Sequence, residues 1–278
     1  MIWLAVSVAV DFVFVQFFKW GQRQGYHAPT VVSTNYVIVG TSLALYLIAT
    51  DRFVVPQAAL ITGLVTGCVF VSSMVLMTTT LERAPAGAVF TVFRMSIAVP
   101  VVLGVLIWNE PVAPGQLFGI ALALIALGMM TSGSDADRHV TGLKMAGLLL
   151  AIFLLQGTSH SCLRSVHYNG LDDAFVQVLM VTGTTAGTLG WAAVAWSRQR
   201  PLRGELQLGA FIGFYNALAL CVIMVALSLL PGTLFFPVVG CSVVVLDNLA
   251  AHFFWRERLN RTSVAGVVVA TLAIFLAV

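Results

Sequence analysis

Arg94 lies about ten residues into an apolar run that begins near Pro85, roughly 15 Å deep at the rise of a helix. A guanidinium does not shed its proton, so at that depth it needs an anion: a carboxylate side chain, or a carboxylate or phosphate on a substrate. Asp11 reaches a comparable depth in the first apolar run and is the natural internal partner. Asp247 takes the position of Pro100 when the two halves of the chain are aligned, about six residues past Cys241, the counterpart of Arg94. That places it nearer one end of a central cavity. Two readings of these residues compete. In one, Arg94 holds an anionic group of a substrate while Asp11 or Asp247 exchanges protons and couples transport to a proton gradient. In the other, Arg94 and Asp11 form a permanent pair that fixes helix packing at the cost of desolvation.

Gln156 and His160, four residues apart, share one helical face with Ser159 beside them. Near mid-bilayer that face offers hydrogen bonds or a titrating imidazole, or only an interhelical bond that satisfies His160. Tyr215 and Asn216 raise the same choice between cavity lining and packing. His252, close to the end of its run, reads as an interface residue. Glu110 and Glu257 tempt a paired-carboxylate mechanism, but inversion of the repeats puts them on opposite membrane faces, and each stands just before a new helix, where a carboxylate meets the positive end of the helix dipole. Both read as structural boundary residues, with gating the alternative.

Nothing in the spacing suggests an enzyme. A zinc-binding His/Glu pattern, a phosphate loop and a Ser/His/Asp framework are all missing from the sequence, and no cofactor or metal is expected. Cys68, Cys162, Cys221 and Cys241 fall in or at the ends of apolar runs and read as packing residues. The net charge of +3 is spread over short loops and forms no block for nucleic acid.

The elements that must carry these residues follow from composition. With 59% hydrophobic and 9% charged residues and a mean hydropathy of +0.98, the chain could not cover a water-soluble surface. It reads as an integral, multi-pass protein of a cell membrane, its first run a span that stays, since it lacks a basic leader and carries Asp11. A span needs roughly 20 apolar residues to cross about 30 Å of hydrocarbon. The polar breaks give ten, at about 2–20, 30–50, 56–80, 85–107, 114–131, 142–163, 174–196, 206–229, 232–254 and 262–278. The expected fold is therefore all-α, with ten transmembrane helices.

An internal repeat organises them. Leu81–Thr131 overlies Ser228–Val278 at an offset of 147 without a gap, matching Trp108 to Trp255, Glu110 to Glu257, Gly119 to Gly266, Ala123 to Ala270 and Ala126 to Ala273. Lys19/Arg164 and Gly25/Gly170 fall at an offset of 145. Ser132–Val140 reads as a linker between repeats at 1–131 and 141–278. Five spans per repeat is odd, so the second repeat starts on the opposite side and is inverted, an architecture from which secondary transporters build alternating access. Gly63-x-x-x-Gly67, Gly183-x-x-x-Gly187 and Gly209-x-x-x-Gly213 read as close helix contacts.

The tandem ten-span plan, Phe17-Phe18-Lys19-Trp20, Asn35-Tyr36, the stretch from Met95-Ser96 to Glu110, and Phe254-Trp255-Arg256-Glu257 before a glycine-led last helix resemble the EamA-like branch of the drug/metabolite transporter superfamily. The resemblance covers essentially the whole chain. It implies a secondary transporter of a small metabolite or amphiphilic compound, often outward, with a central cavity lined mainly by the first, third, fourth, sixth, eighth and ninth helices. A channel without coupling and a membrane-embedded enzyme are the alternatives. The expected partners are a small-molecule substrate and the lipid bilayer, with proton coupling possible in principle and the chain a monomer or a homodimer through its glycine faces.

Orientation divides two arguments. The loops after spans one, three, five, seven and nine hold Lys19, Arg23, Arg83, Arg138, Lys144, Arg198, Arg200, Arg203, Arg256, Arg258 and Arg261, against Arg52 and Arg164 on the other side. The positive-inside rule then puts both termini outside the cytoplasm. The resemblance implies the reverse.

Overall fold

The computed structural model of the chain describes residues 2–81, 86–131, 143–197, 200–254 and 261–277. The expected linker Ser132–Val140, Trp255, Glu257 and the loop cations Arg83, Arg138, Arg198, Arg256 and Arg258 lie outside them. The described residues are helical and contain no strand. In chain order the helices are α1 (Ile2–Arg23), α2 (Ala28–Ala49), α3 (Gln57–Leu81), α4 (Ala86–Met95), α5 (Ala98–Leu106), α6 (Pro114–Thr131), α7 (Leu143–Tyr168), α8 (Phe175–Trp196), α9 (Arg203–Leu229), α10 (Gly232–Phe253) and α11 (Arg261–Ala277). Seven of them, α1, α2, α3, α7, α8, α9 and α10, are long and apolar enough to cross a membrane. That is the architecture of a multi-pass membrane protein.

The fourth apolar run departs from its expected form. In place of one helix it forms α4 and α5, separated at Ser96–Ile97. Pro100 is the cause. It has no N–H for the carbonyl of Ser96, and its ring crowds that carbonyl. The freed backbone is partly re-satisfied locally: Val99 N–H donates to the Ser96 carbonyl at 3.0 Å and Ser96 Oγ donates to the Phe93 carbonyl at 2.6 Å.

Helix contacts gather the chain into two compact units, one of residues 1–12, 79–161 and 229–278, the other of 13–78 and 162–228. Each draws on both halves of the sequence. In the first unit α6 packs along α11, and α10 contacts α5, α6 and α11. Ala123, Ala126, Ala270 and Ala273 are all buried on these helices, which gives the matched alanines of the repeat a packing role. Glu110 ties this unit together at a different helix from the one expected. Its carboxylate accepts from the N–H groups of Gly232 and Thr233 at 3.0 and 2.7 Å, so it caps α10 and not α6, the helix that follows it. Asn109 at φ 50° and the Glu110 N–H bond to the Gly104 carbonyl fold the chain back to aim it there. Pro231 at the N-cap of α10 supplies no side-chain bond of its own. Glu110→Ala is expected to lower stability by about 1–2 kcal/mol through the loss of this cap. Thermal unfolding in detergent should show it, with Glu110→Gln between the two.

In the second unit α2 and α8 form the main crossing. A Cβ added at Gly40 would meet Thr184 N at 2.6 Å, one at Gly187 would meet Val37 N at 2.6 Å, and one at Gly190 would meet Ser33 Oγ at 2.5 Å. As the α2 number falls the α8 number rises, so the two helices run antiparallel. The other glycine pairs fasten the flanks. Gly63 and Gly67 of α3 rest on Val178, Val181, Thr182 and Thr185 of α8, and Gly209 and Gly213 of α9 on Val31, Thr34, Asn35 and Ile38 of α2. Arg164, counted from the sequence as a loop cation, is instead a buried residue of α7, donating to the Leu227 carbonyl and to the Tyr168 hydroxyl.

Candidate functional site

The break between α4 and α5 positions the charged residues. It leaves Arg94 in the last turn of α4, where a cation is favoured by the negative end of the helix dipole. Two other helices close on the same point through glycines. A Cβ on Gly157 of α7 would come within 2.3 Å of Val99 Cγ2 and 2.9 Å of the Ser96 carbonyl oxygen. One on Gly240 of α10 would come within 3.0 Å of Ile97 Cδ1. The missing side chains let α7 and α10 reach the break, and with them Gln156 and His160 beside Gly157 and Asp247 two turns past Gly240.

Arg94 Nη2 donates to Asp247 Oδ2 at 3.2 Å, with side chains 27% and 20% exposed. The close partner of Arg94 is thus Asp247 and not Asp11, as the depth of the residues had suggested. The antiparallel course of α10 past α4 and α5 is the reason: residues 104, 97 and 94 face 233, 240 and 247 in turn. Asp11 adds a second carboxylate within electrostatic range of both Arg94 and Asp247. On α7, the Gln156 amide lies 3.1 Å from His160 Nε2, and the His160 ring packs against Phe236 at 5.6 Å. His160 is within electrostatic range of Arg94. Five of the seven residues singled out from the sequence, Asp11, Arg94, Gln156, His160 and Asp247, therefore belong to one compact unit.

Tyr215 and Asn216 fall in the other unit. Asn216 Nδ2 donates to Asn35 Oδ1 at 3.1 Å, a buried amide pair joining α9 to α2. The Tyr215 ring meets Phe17 edge-on at 5.3 Å. Both contacts are interhelical packing.

Three features were not foreseen. Pro100, in the middle of an apolar run, is a sequence signal for the break beside Arg94. Glu205 is buried and accepts from Leu202 N–H at 3.0 Å and His27 N–H at 2.8 Å, clamping the start of α9 to that of α2. Its place near the start of an apolar run is the mark of a capping glutamate. Ser7, one turn before Asp11 on α1, has a buried Oγ without a hydrogen-bond partner among the described residues. Only the tertiary structure reveals that.

No metal-binding group of three or more His, Cys, Asp or Glu occurs among the described residues. The site is a hydrogen-bonded ion pair with a further carboxylate and an imidazole, set at a helix discontinuity among apolar helices. It can hold a polar ligand group and exchange protons.

Fold and site together define a multi-pass helical membrane protein with an ionisable cluster among its apolar helices. No protein-family model and no curated protein matches the sequence. The likeness to known proteins is in three dimensions. A solved structure described as "Crystal structure of protein" superposes with a TM-score of 0.80, covering 99% of this chain and 96% of its own, at 11% sequence identity. At that identity the likeness is one of fold.

Proposed function

We propose that the chain is a secondary active transporter of the EamA-like, drug/metabolite transporter type, moving a small metabolite or amphiphilic compound outward across a cell membrane by alternating access. The observation that carries this reading is the broken helix at the charged cluster. Discontinuous helices at mid-membrane are tolerated where they line a binding site, and transporters place substrate and coupling-ion sites at such points.

The repeat supports it. An offset of 147 carries Ala28–Ala49 (α2) onto Phe175–Trp196 (α8) and places Pro114, the first residue of α6, on Arg261, the first of α11. The same offset carries Val31, Thr34, Asn35 and Ile38, which receive the glycines of α9, onto Val178, Val181, Thr182 and Thr185, which receive those of α3. It also exchanges the Gly40–Thr184 contact with the Gly187–Val37 contact. An antiparallel pair whose contacts interchange in this way fits two inverted five-helix repeats and ten spans.

Among the described residues the cluster holds two carboxylates, Asp11 and Asp247, against one guanidinium, Arg94. A ligand that binds there either brings a positive group or arrives as a carboxylate takes up a proton. Proton exchange at Asp11 or Asp247 is accordingly the coupling step in this reading. The buried Ser7 hydroxyl, which has no hydrogen-bond partner among the described residues, is a further group for a ligand to satisfy.

The test begins with thermal stabilisation of the purified protein by amino acids, nucleosides, sugars, organic phosphates and lipophilic cations. Flux of a labelled hit is then measured in reconstituted vesicles. Saturable flux that responds to an imposed pH gradient is the expected result. Flux rising linearly with concentration and indifferent to the gradient would mean a channel and would sink the proposal.

A further inference from the structure

A groove of about 570 Å³ lies between the last turns of α1 and the first turns of α9, lined by Gln16, Phe17, Trp20, Tyr26, Gln207 and Phe211 among others. Its volume is in the range of small-molecule sites, roughly 300–1,000 Å³. The walls are held by aromatic contacts. Phe17 meets Phe211 edge-on at 5.0 Å, and Trp20 meets Tyr26 edge-on at 6.3 Å. The Tyr26 hydroxyl covers Gly204, where a Cβ would come within 2.4 Å of it.

The two ends of the groove differ. Toward the middle of α9 it runs into an exposed apolar stripe, Phe211, Phe214 and Leu218, at 57%, 62% and 61% exposure. Residues spaced by three and four share one helical face, so this face is suited to hydrocarbon. Toward the helix ends, Lys19 and Arg23 follow Gln16 and Trp20 on the same stripe of α1. Arg203 stands one turn before Gln207 on α9, with Arg200 just ahead of it. Trp20 and Tyr26 lie between the apolar and the cationic ends, where amphipathic rings sit at a membrane interface. Hydrocarbon surface, aromatic shoulder and positive charge thus succeed one another in the order found along a single phospholipid.

We infer that this groove binds one anionic phospholipid. An acyl chain lies along Phe17 and Phe211, the ester region meets the amides of Gln16 and Gln207, and the phosphate lies toward Arg23 and Arg203. Cations at the mouth favour an anionic headgroup over a zwitterionic one. Basic residues beside a membrane favour anionic lipid by about fivefold each. The inference is independent of the transport reading.

Trp20 provides the readout. Its emission, taken as the difference between the full chain and Trp20→Phe, is followed while brominated phosphatidylglycerol or brominated phosphatidylcholine is added in mixed micelles. The anionic lipid is expected to quench at a several-fold lower mole fraction. Arg23→Gln with Arg203→Gln should bring the two lipids to parity, and Gln207→Phe, which fills the groove, should weaken quenching by both. All three positions are exposed, so unchanged unfolding temperatures serve as the control. Equal quenching by the two lipids in the unaltered protein would overturn the headgroup selection. Undiminished quenching in Gln207→Phe would place the lipid elsewhere and overturn the site. Loss of the preference on adding glycerol phosphate would assign the cations to a soluble phosphate instead.

Discussion

On the proposed function, Arg94→Gln and Asp247→Asn are each expected to abolish transport, and the double variant is expected to fold as well as the unaltered protein while remaining inactive. Each single change removes one member of a hydrogen-bonded ion pair and leaves the other without its close partner. Breaking a fully buried pair costs about 3–5 kcal/mol. With about a quarter of each side chain exposed, the loss here is nearer 1–3 kcal/mol. Removing both charges removes that penalty, so the double variant recovers stability, with a coupling of about 1–3 kcal/mol in the cycle. Activity behaves differently if the pair takes part in binding, because neither the guanidinium nor the carboxylate is then present for substrate or proton. Thermal unfolding and vesicle flux measured on all four proteins separate the two roles. A double variant that transports normally would make the pair structural and would remove Arg94 from the site.

Gly183→Val is expected to have the largest effect on folding. A Cβ at Gly183 falls 2.7 Å from the Gly40 backbone nitrogen and 3.1 Å from its Cα. These are backbone atoms of the facing helix and cannot move aside as a side-chain tip can. Overpacking of this kind costs about 1–3 kcal/mol and sometimes more, which the better helix propensity of a non-glycine residue, worth up to about 1 kcal/mol, does not offset. Valine adds two methyl groups to that clash, so α2 and α8 must separate. Gly183→Ala should lower the unfolding temperature and Gly183→Val should prevent recovery of a folded protein. Gly147→Ala is the matched control, since a Cβ there meets nothing within 4 Å, and it should be neutral or slightly stabilising. A Gly183→Val protein that unfolds at the ordinary temperature would mean that the α2–α8 crossing is not close in solution.

Membrane residence and helicity were legible from the amino acids alone, because a backbone in hydrocarbon must satisfy its own hydrogen bonds and runs of about 20 apolar residues leave helices as the only local solution. The glycine pairs at 63/67, 183/187 and 209/213 were equally legible as close contacts, since a missing Cβ has the same consequence whichever helix approaches. So was the cost of a charge at mid-span, which is why Arg94, Asp11, Asp247 and His160 could be singled out without coordinates. Partnership was not. Arg94 takes Asp247 and not Asp11 because of the register at which antiparallel α10 passes the α4–α5 break, and register depends on side chains more than a hundred residues apart. Glu110 serves α10 and not α6 because a turn at Asn109 redirects it. Asn216 meets Asn35 and Tyr215 meets Phe17 because α9 presents them to α2 and to α1. A sequence fixes what each residue can do in an apolar medium through its local chemistry, but which groups meet is decided by long-range helix packing, and that exists only in the folded chain.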